Sequence, residues 1–221
     1  MTTLTDLPRR CVSAPLLTGR LKVEPEDFVV EEIPAYDLSD EGEHLFLWIE
    51  KRDVPAEQLI RHVARVLDMP SRDVGVAGMK DRRAMTRQWL SVPAKLHERV
   101  SQIDTDRIRI LRTVRHNNKL RTGHLRGNRF DILLRDVHPL DGSTLNPAAI
   151  ALVTETVAAR GFPNYFGDQR FGHAGETLQL GLDLLTRRKS KRDIPYSRRR
   201  FLFRLALSAV QSDLFNQALA A

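Results

Sequence analysis

The sequence predicts an α+β fold, a mixed, largely antiparallel sheet flanked by helices. Strand-like segments surround a single early helix, the remaining helical patterns gather in the last third of the chain, and the strict strand–helix alternation of a βαβ array is missing. The 221 residues, 42% apolar and 29% charged, suit one well-buried domain or at most two small ones. That balance belongs to folded, soluble chains and not to disordered ones.

Residues 19–33 read as extended, with the β-formers Phe28, Val29 and Val30 and interruptions at Pro25 and Pro34. In residues 44–49, Leu45, Leu47 and Ile49 alternate with His44, Phe46 and Trp48, a strand apolar on both faces. Pro55 opens a helix, because its fixed φ suits a first turn. Leu59, Ile60, Val63, Val66 and Leu67 form that helix's apolar stripe, and Pro70 follows its end. Residues 74–79, broken by Gly75 and Gly78, are a short strand running into a loop, and residues 88–92 the next strand. Residues 107–114 set arginines against Ile108 and Ile110, a half-buried strand with a basic outer face. Residues 124–137 read as one further strand, with Phe130, Ile132 and Leu134 on one side. Residues 147–160 form a helix that Gly161 stops, and residues 176–188 and 201–221 form two more. The last pattern reaches Ala221 with no glycine, proline or basic turn to close it, which is expected of an incomplete chain.

The net charge is +7. One basic cluster spans Arg107, Arg109, Arg112, Arg115, Lys119, Arg121, Arg126 and Arg129; another spans Arg187, Arg188, Lys189, Lys191, Arg192 and Arg198 to Arg200, while residues 24–50 are acidic. Such segregation suits a face that tracks phosphates and releases their counterions. The alternative is a solvated basic surface, the better reading for the second cluster alone; the two together favour RNA as partner. No run of eighteen apolar residues exists, the polar first ten residues lack a signal-peptide core, and the single Cys11 suits a reducing compartment, so a cytoplasmic protein without membrane association is expected. There is no phosphate-binding Gly-x-x-x-x-Gly-Lys loop, no dinucleotide fingerprint, no nucleophile elbow and no paired histidine spacing. No metal and no small-molecule cofactor are therefore expected.

Three stretches carry candidate chemistry. In the first, Gly78-Met79-Lys80-Asp81-Arg82-Arg83, a glycine permits a sharp turn and cations flank a carboxylate. Those cations favour ionised Asp81, as a nucleophile requires, or hold phosphates beside it. On spacing alone, a solvated Lys-Asp-Arg turn explains the stretch better. The second, Pro163 through Gly172, packs Tyr165, Phe166, Phe171 and Arg170 into ten residues, which fits base stacking or an aromatic-anchored loop equally. In the third, Gly127-Asn128-Arg129-Phe130, Asn128 offers the donor and acceptors needed to read a uracil edge, although a turn asparagine after glycine is commoner.

Taken in order, these stretches resemble the TruD family of tRNA pseudouridine synthases. The resemblance begins at Leu21-Lys22-Val23-Glu24-Pro25-Glu26-Asp27-Phe28-Val29-Val30-Glu31-Glu32. It continues through Gly42-Glu43-His44, Ala77 to Asp81 with Ala84, Thr86 and Gln88, and Gly127 to Phe130, and ends with Pro163 to Gly172 and Leu214-Phe215-Asn216-Gln217. It implies isomerisation of a uridine in tRNA, typically at position 13, to pseudouridine without a cofactor. Asp81 matches the catalytic aspartate, and Phe28 and Asn128 match positions that hold the target nucleotide. Phe130, Lys22 and the loop from Asn164 to Gly172 would line the same cleft. Members of the family continue with an inserted domain and a returning C-terminal segment, so residues 1–221 are expected to be the N-terminal part of the catalytic domain. The alternative function is a tRNA-binding module that does not catalyse.

Overall fold

The computed structural model describes residues 17–221; Cys11 and the polar N-terminal residues lie outside that range. The described residues divide into two compact units, Leu17–Gly142 and Ser143–Ala221.

The first unit contains β1 (Leu17–Arg20), β2 (Phe28–Pro34), β3 (His44–Arg52), α1 (Ala56–Val66), β4 (Gly75–Val76), β5 (Met85–Pro93), β6 (Ile108–His116), β7 (Leu125–Ile132) and β8 (Arg135–Pro139). Its main sheet has the order β6-β3-β5-β2-β7, with β4 also on β5, and β1 pairs with β8 in a separate ribbon. Only β2 and β5 pair in parallel; the other pairings are antiparallel. The α+β class with a mixed sheet is thus observed.

Central β3 explains why the sheet has two cores. Leu45, Leu47 and Ile49 point to one face and pack with Leu59, Val63, Ala64 and Leu67 of α1 and its end. Phe46 and Trp48 point to the other, with Trp89, Val114 and Leu120. The period-2 alternation read from residues 44–49 produces this division. The sequence reading places no element between residues 92 and 107. There a run of 3-10 turns, Ala94–Ile103, buries Ala94, Val100 and Ile103 in the α1 core.

One strand assignment needs correction. Residues 124–137 are two strands that serve different sheets: β7 pairs with β2, and β8 pairs with β1. The break falls at Leu133 and Leu134. Leu133 N–H donates to the Asp27 carbonyl at 2.8 Å, and Arg135 clamps the Asp27 carboxylate through Nε and Nη2, each at 2.8 Å. These bonds turn the chain out of the ladder. Phe130, Ile132 and Leu134, predicted as one apolar side, all stay half-exposed.

The second unit contains α2 (Pro147–Arg160), α3 (Glu176–Leu185) and α4 (Arg199–Ala220). Asn146 caps α2 by accepting from Ala148 and Ala149 N–H, and Gly161 ends it with φ 73°. Helix α3 stops three residues before the predicted end. Helices α3 and α4 share a core of Phe171, Leu178, Ala209 and Val210. They meet so closely at Gly181 that a Cβ there would lie 2.3 Å from the Ala206 carbonyl oxygen.

Candidate active site

The register of the sheet determines what gathers around Asp81. Directly opposed residues share a face. Lys51 opposes Thr86 and Ile49 opposes Gln88, so Lys51, Thr86 and Gln88 lie on the α1 face of the sheet. Val30 pairs with Thr86 in parallel, and across β7 the pairs are Phe28 with Ile132, Val30 with Phe130, and Glu32 with Asn128. One face therefore carries Phe28, Glu32, Asn128 and Phe130 beside Lys51, Thr86 and Gln88. Asn128 sits within β7, which overrides the turn reading.

Asp81 belongs to the loop between β4 and β5, and its side chain is 54% exposed. Lys22 Nζ lies 3.5 Å from Asp81 Oδ1 and 3.8 Å from the centroid of the Phe28 ring. Lys22 itself occupies the left-handed region at φ 57°, a conformation the surrounding structure has to hold. Phe28 meets Phe130 edge-on at 5.9 Å. The four residues Lys22, Phe28, Phe130 and Asp81 are thus linked by direct contacts.

Beneath Asp81 are groups the sequence reading did not single out. Lys51 is fully buried, and its Nζ donates to the Asp81 backbone carbonyl at 2.6 Å. Burial pushes its ammonium down to about 8, against the nearby Asp81 carboxylate, which favours the charged form. Lys80, predicted as a free cation for phosphate, is instead buried. Its Nζ reaches Glu32 Oε2 at 2.5 Å, and Glu32 Oε1 also accepts from Trp89 N–H at 3.3 Å. Arg82 lies 3.5 Å from Asp53. The Asp81 loop is consequently anchored on both sides of the carboxylate while the carboxylate itself stays accessible.

A local signal exists for Lys51: it continues the Leu45, Leu47, Ile49 phase of β3. Glu32 likewise follows Phe28 and Val30 in phase. Three buried acceptors on this face, Thr86 Oγ1, Gln88 Oε1 and Asn128 Oδ1, have no hydrogen-bond partner among the described residues. Unpaired buried acceptors are costly; Thr86 and Gln88 are fully buried.

In the second unit, the loop from Asn164 to Gly172 is anchored on α4. Phe166 exchanges backbone bonds with the Asn216 amide at 2.8 and 2.9 Å, and Arg170 donates to the Ser208 and Ser212 hydroxyls. Phe171 is buried. Arg170 is therefore committed to its own unit, while Asn164, Tyr165 and Phe166 line a small concavity there. Part of the second basic cluster is structural too: Lys189 pairs with Asp183 at 3.1 Å, and Arg199 donates to the Ile194 carbonyl. Among the described residues, no three His, Cys, Asp or Glu side chains gather as a metal-binding set. No helix is long and apolar enough to cross a membrane.

Comparison with known proteins bears on the family and the fold. The family model described as tRNA pseudouridine synthase D (TruD) matches residues 6–192. A tRNA pseudouridine synthase D from Anaeromyxobacter dehalogenans is 45% identical over 217 residues, covering 98% of this chain and 60% of the relative. One from Thermus thermophilus is 41% identical over 207 residues, covering 93% and 55%. A crystal structure described as a tRNA pseudouridine synthase D from Methanosarcina mazei superposes with a TM-score of 0.66 at 30% identity, covering 80% of this chain and 40% of that one. The chain thus spans about 60% of the length of the first of these relatives. By the extent of the family match and by its fold, the chain belongs to the TruD family of tRNA pseudouridine synthases.

Proposed function

We propose that the protein isomerises a uridine of tRNA, at position 13, to pseudouridine, with Asp81 as the catalytic carboxylate. Phe28, Phe130, Asn128 and Lys22 hold the target nucleotide. The observation that carries this reading is the convergence of an accessible loop carboxylate with the touching rings of Phe28 and half-exposed Phe130 and an orphaned amide oxygen on the adjoining strand face. The reaction breaks the N1–C1′ bond of uridine and joins C5 to C1′; the proton lost from C5 is balanced by one gained at N1. No oxidant, reductant or cofactor is required.

A uridine in a stacked RNA cannot reach a residue at the base of a protein face, so it has to be extruded. The Phe28 and Phe130 rings offer surfaces against which a detached base can rest. Asn128 Oδ1, buried and unpaired, is positioned to accept from a donor such as the N3–H of uracil. Asp81 acts as an anion, at C1′ or on a sugar proton, and the Lys22 ammonium keeps positive charge beside it. A reaction on tRNA fits a cytoplasmic enzyme.

Release of tritium from tRNA labelled at uridine C5 tests the proposal. The protein is expected to release it, and Asp81→Asn is expected to release none. Turnover retained in Asp81→Asn would sink the assigned role. Tight tRNA binding with no release by the unaltered protein would leave a tRNA-binding module instead.

A further inference from the structure

We infer that an arginine-lined concavity between α1 and the turn before β6 is a binding site for the phosphodiester backbone of RNA. Its volume is about 540 Å³, and Gln58, Arg61, His62, Arg65, Asp106 and Arg107 are among its lining residues. On α1, residues 58, 61, 62 and 65 follow the i, i+3, i+4, i+7 spacing of one helix face. The neighbouring stripe, Leu59 and Val63, is buried in the core. Burial of one stripe thus fixes how the polar one is presented.

The site is built, not incidental. His62 Nε2 lies 2.8 Å from the Ile103 carbonyl and donates to it, which leaves Nδ1 as an acceptor. Arg65 Nη2 donates to that Nδ1 at 3.3 Å, so a neutral imidazole orients the guanidinium. Arg107 enters from the opposite wall, where its N–H donates to Thr105 Oγ1 at 3.2 Å.

Charge in the concavity is only partly offset, by long or solvent-exposed pairs with Glu57 and Asp53. Three arginines face one lining carboxylate, Asp106. Glu57 pairs with Arg61 at 3.2 Å, but those side chains are 71% and 75% exposed, so the pair is weak. Each guanidinium has five N–H donors in a planar fork suited to phosphate oxygens; Arg61 and Arg65 each spend one Nη2 donor on the contacts above, and the Arg107 contact to Thr105 uses its backbone N–H.

Asp53 ties this concavity to the Asp81 loop. Its carboxylate is 3.5 Å from Arg82, the residue after Asp81, and 3.9 Å from Arg107. Asp53 holds a left-handed φ of 48°, and its N–H donates to the Ala84 carbonyl at 3.2 Å. One carboxylate thus braces both the loop that carries Asp81 and a wall of the arginine site. A strand that presents a uridine to Asp81 would extend its neighbouring phosphates along this cation series. The inference relies on the proposed function only for naming RNA as the polyanion.

The test is binding of a fluorescent single-stranded oligoribonucleotide and of tRNA between about 50 and 200 mM salt. Arg61→Gln/Arg65→Gln/Arg107→Gln is expected to bind at least about tenfold more weakly, with a salt slope shallower by about two to three. Gln58→Glu leaves the arginines in place and adds a carboxylate in the first turn of α1, where the helix dipole favours it. It is also expected to weaken binding severalfold, and it decides the matter if the triple variant does not fold. Unchanged affinity and slope in a folded variant would overturn the site. Inorganic phosphate that competes as well as the oligonucleotide, phosphate for phosphate, would assign it to free phosphate and overturn the RNA assignment. Loss of tritium release in Asp81→Asn with unchanged binding by the arginine variants would sink this site and keep the proposed function. The reverse pattern would keep the site and sink the function.

Discussion

One face of the main sheet is two different surfaces. Across β3 and β5 it carries Leu45, Leu47, Ile49, Leu90 and Val92, covered by α1 and the 3-10 run after β5. Across β2 and β7 the same face carries Phe28, Asn128 and half-exposed Phe130 and Ile132. The covered half is held by apolar burial. The open half is held by charges: Lys80 with Glu32, and Arg135 with Asp27. The difference shows how a site is kept both rigid and reachable. A helix over β2 and β7 would stabilise the sheet and bury the proposed site; ion pairs at its margin fix the strands and leave the face accessible.

The largest expected effect separates chemistry from stability. Asp81 is exposed and its side chain makes a single long ion pair, so Asp81→Asn should leave the melting temperature within a degree or two. It should also lower turnover by roughly a thousandfold or more, because an amide cannot act as an anion. A large loss of stability in that variant would contradict the division between the two halves.

Lys80→Met probes the opposite case. It leaves the Glu32 carboxylate buried without its cation, and the expected cost is about 3–5 kcal/mol in denaturant unfolding. Replacing Glu32 with methionine as well should recover most of that loss. A cost below about 1 kcal/mol would mean that the open half is not held by this pair.

The covered half was also the legible one. Period-2 alternation in β3 and the α1 stripe are local patterns, and each is visible in a short window. The open half depends on lateral partners. Nothing local to Lys80 reveals that Glu32 will lie beside it, so a lysine flanking an aspartate reads as a surface cation. Nothing local to Leu133 and Leu134 reveals that Asp27 will accept from the backbone there and split one apolar run into two strands. Asp81, Phe28 and Asn128 stand out as candidates only through ordered resemblance, because an exposed turn and a catalytic loop share the same residue types.

Phe130→Ala is the next smaller test. The ring is 51% exposed and touches Phe28 edge-on, so the stability cost should stay under about 1 kcal/mol. Base stacking on an aromatic is worth about 1–3 kcal/mol. Steady-state kinetics should therefore show KM raised roughly tenfold or more with a modest change in kcat. A variant that unfolds readily yet keeps its KM would place Phe130 in the core and not on the open surface.

The smallest effect tests whether charge holds the open half. The Arg135 guanidinium and the Glu24 N–H beside Asp27 hold its carboxyl at about 2, below its ordinary 3.8. Because the folded value is the lower one, Asp27 adds stability that is complete above about 3.8 and disappears as pH falls through about 2. Hydrogen exchange across that window should show β7 and β8 amides losing protection before those of β3 and β5. Asp27→Asn should lose the pH-dependent part of this difference, because an amide has no proton to take up there. Leu47→Ala supplies the counterpart in the covered half. It should cost about 2–5 kcal/mol, and the cost should be the same at pH 3 as at pH 7, because no titrating group is removed. Equal acid sensitivity of both halves in the unaltered protein would show that the open half does not rest on Asp27 and Arg135.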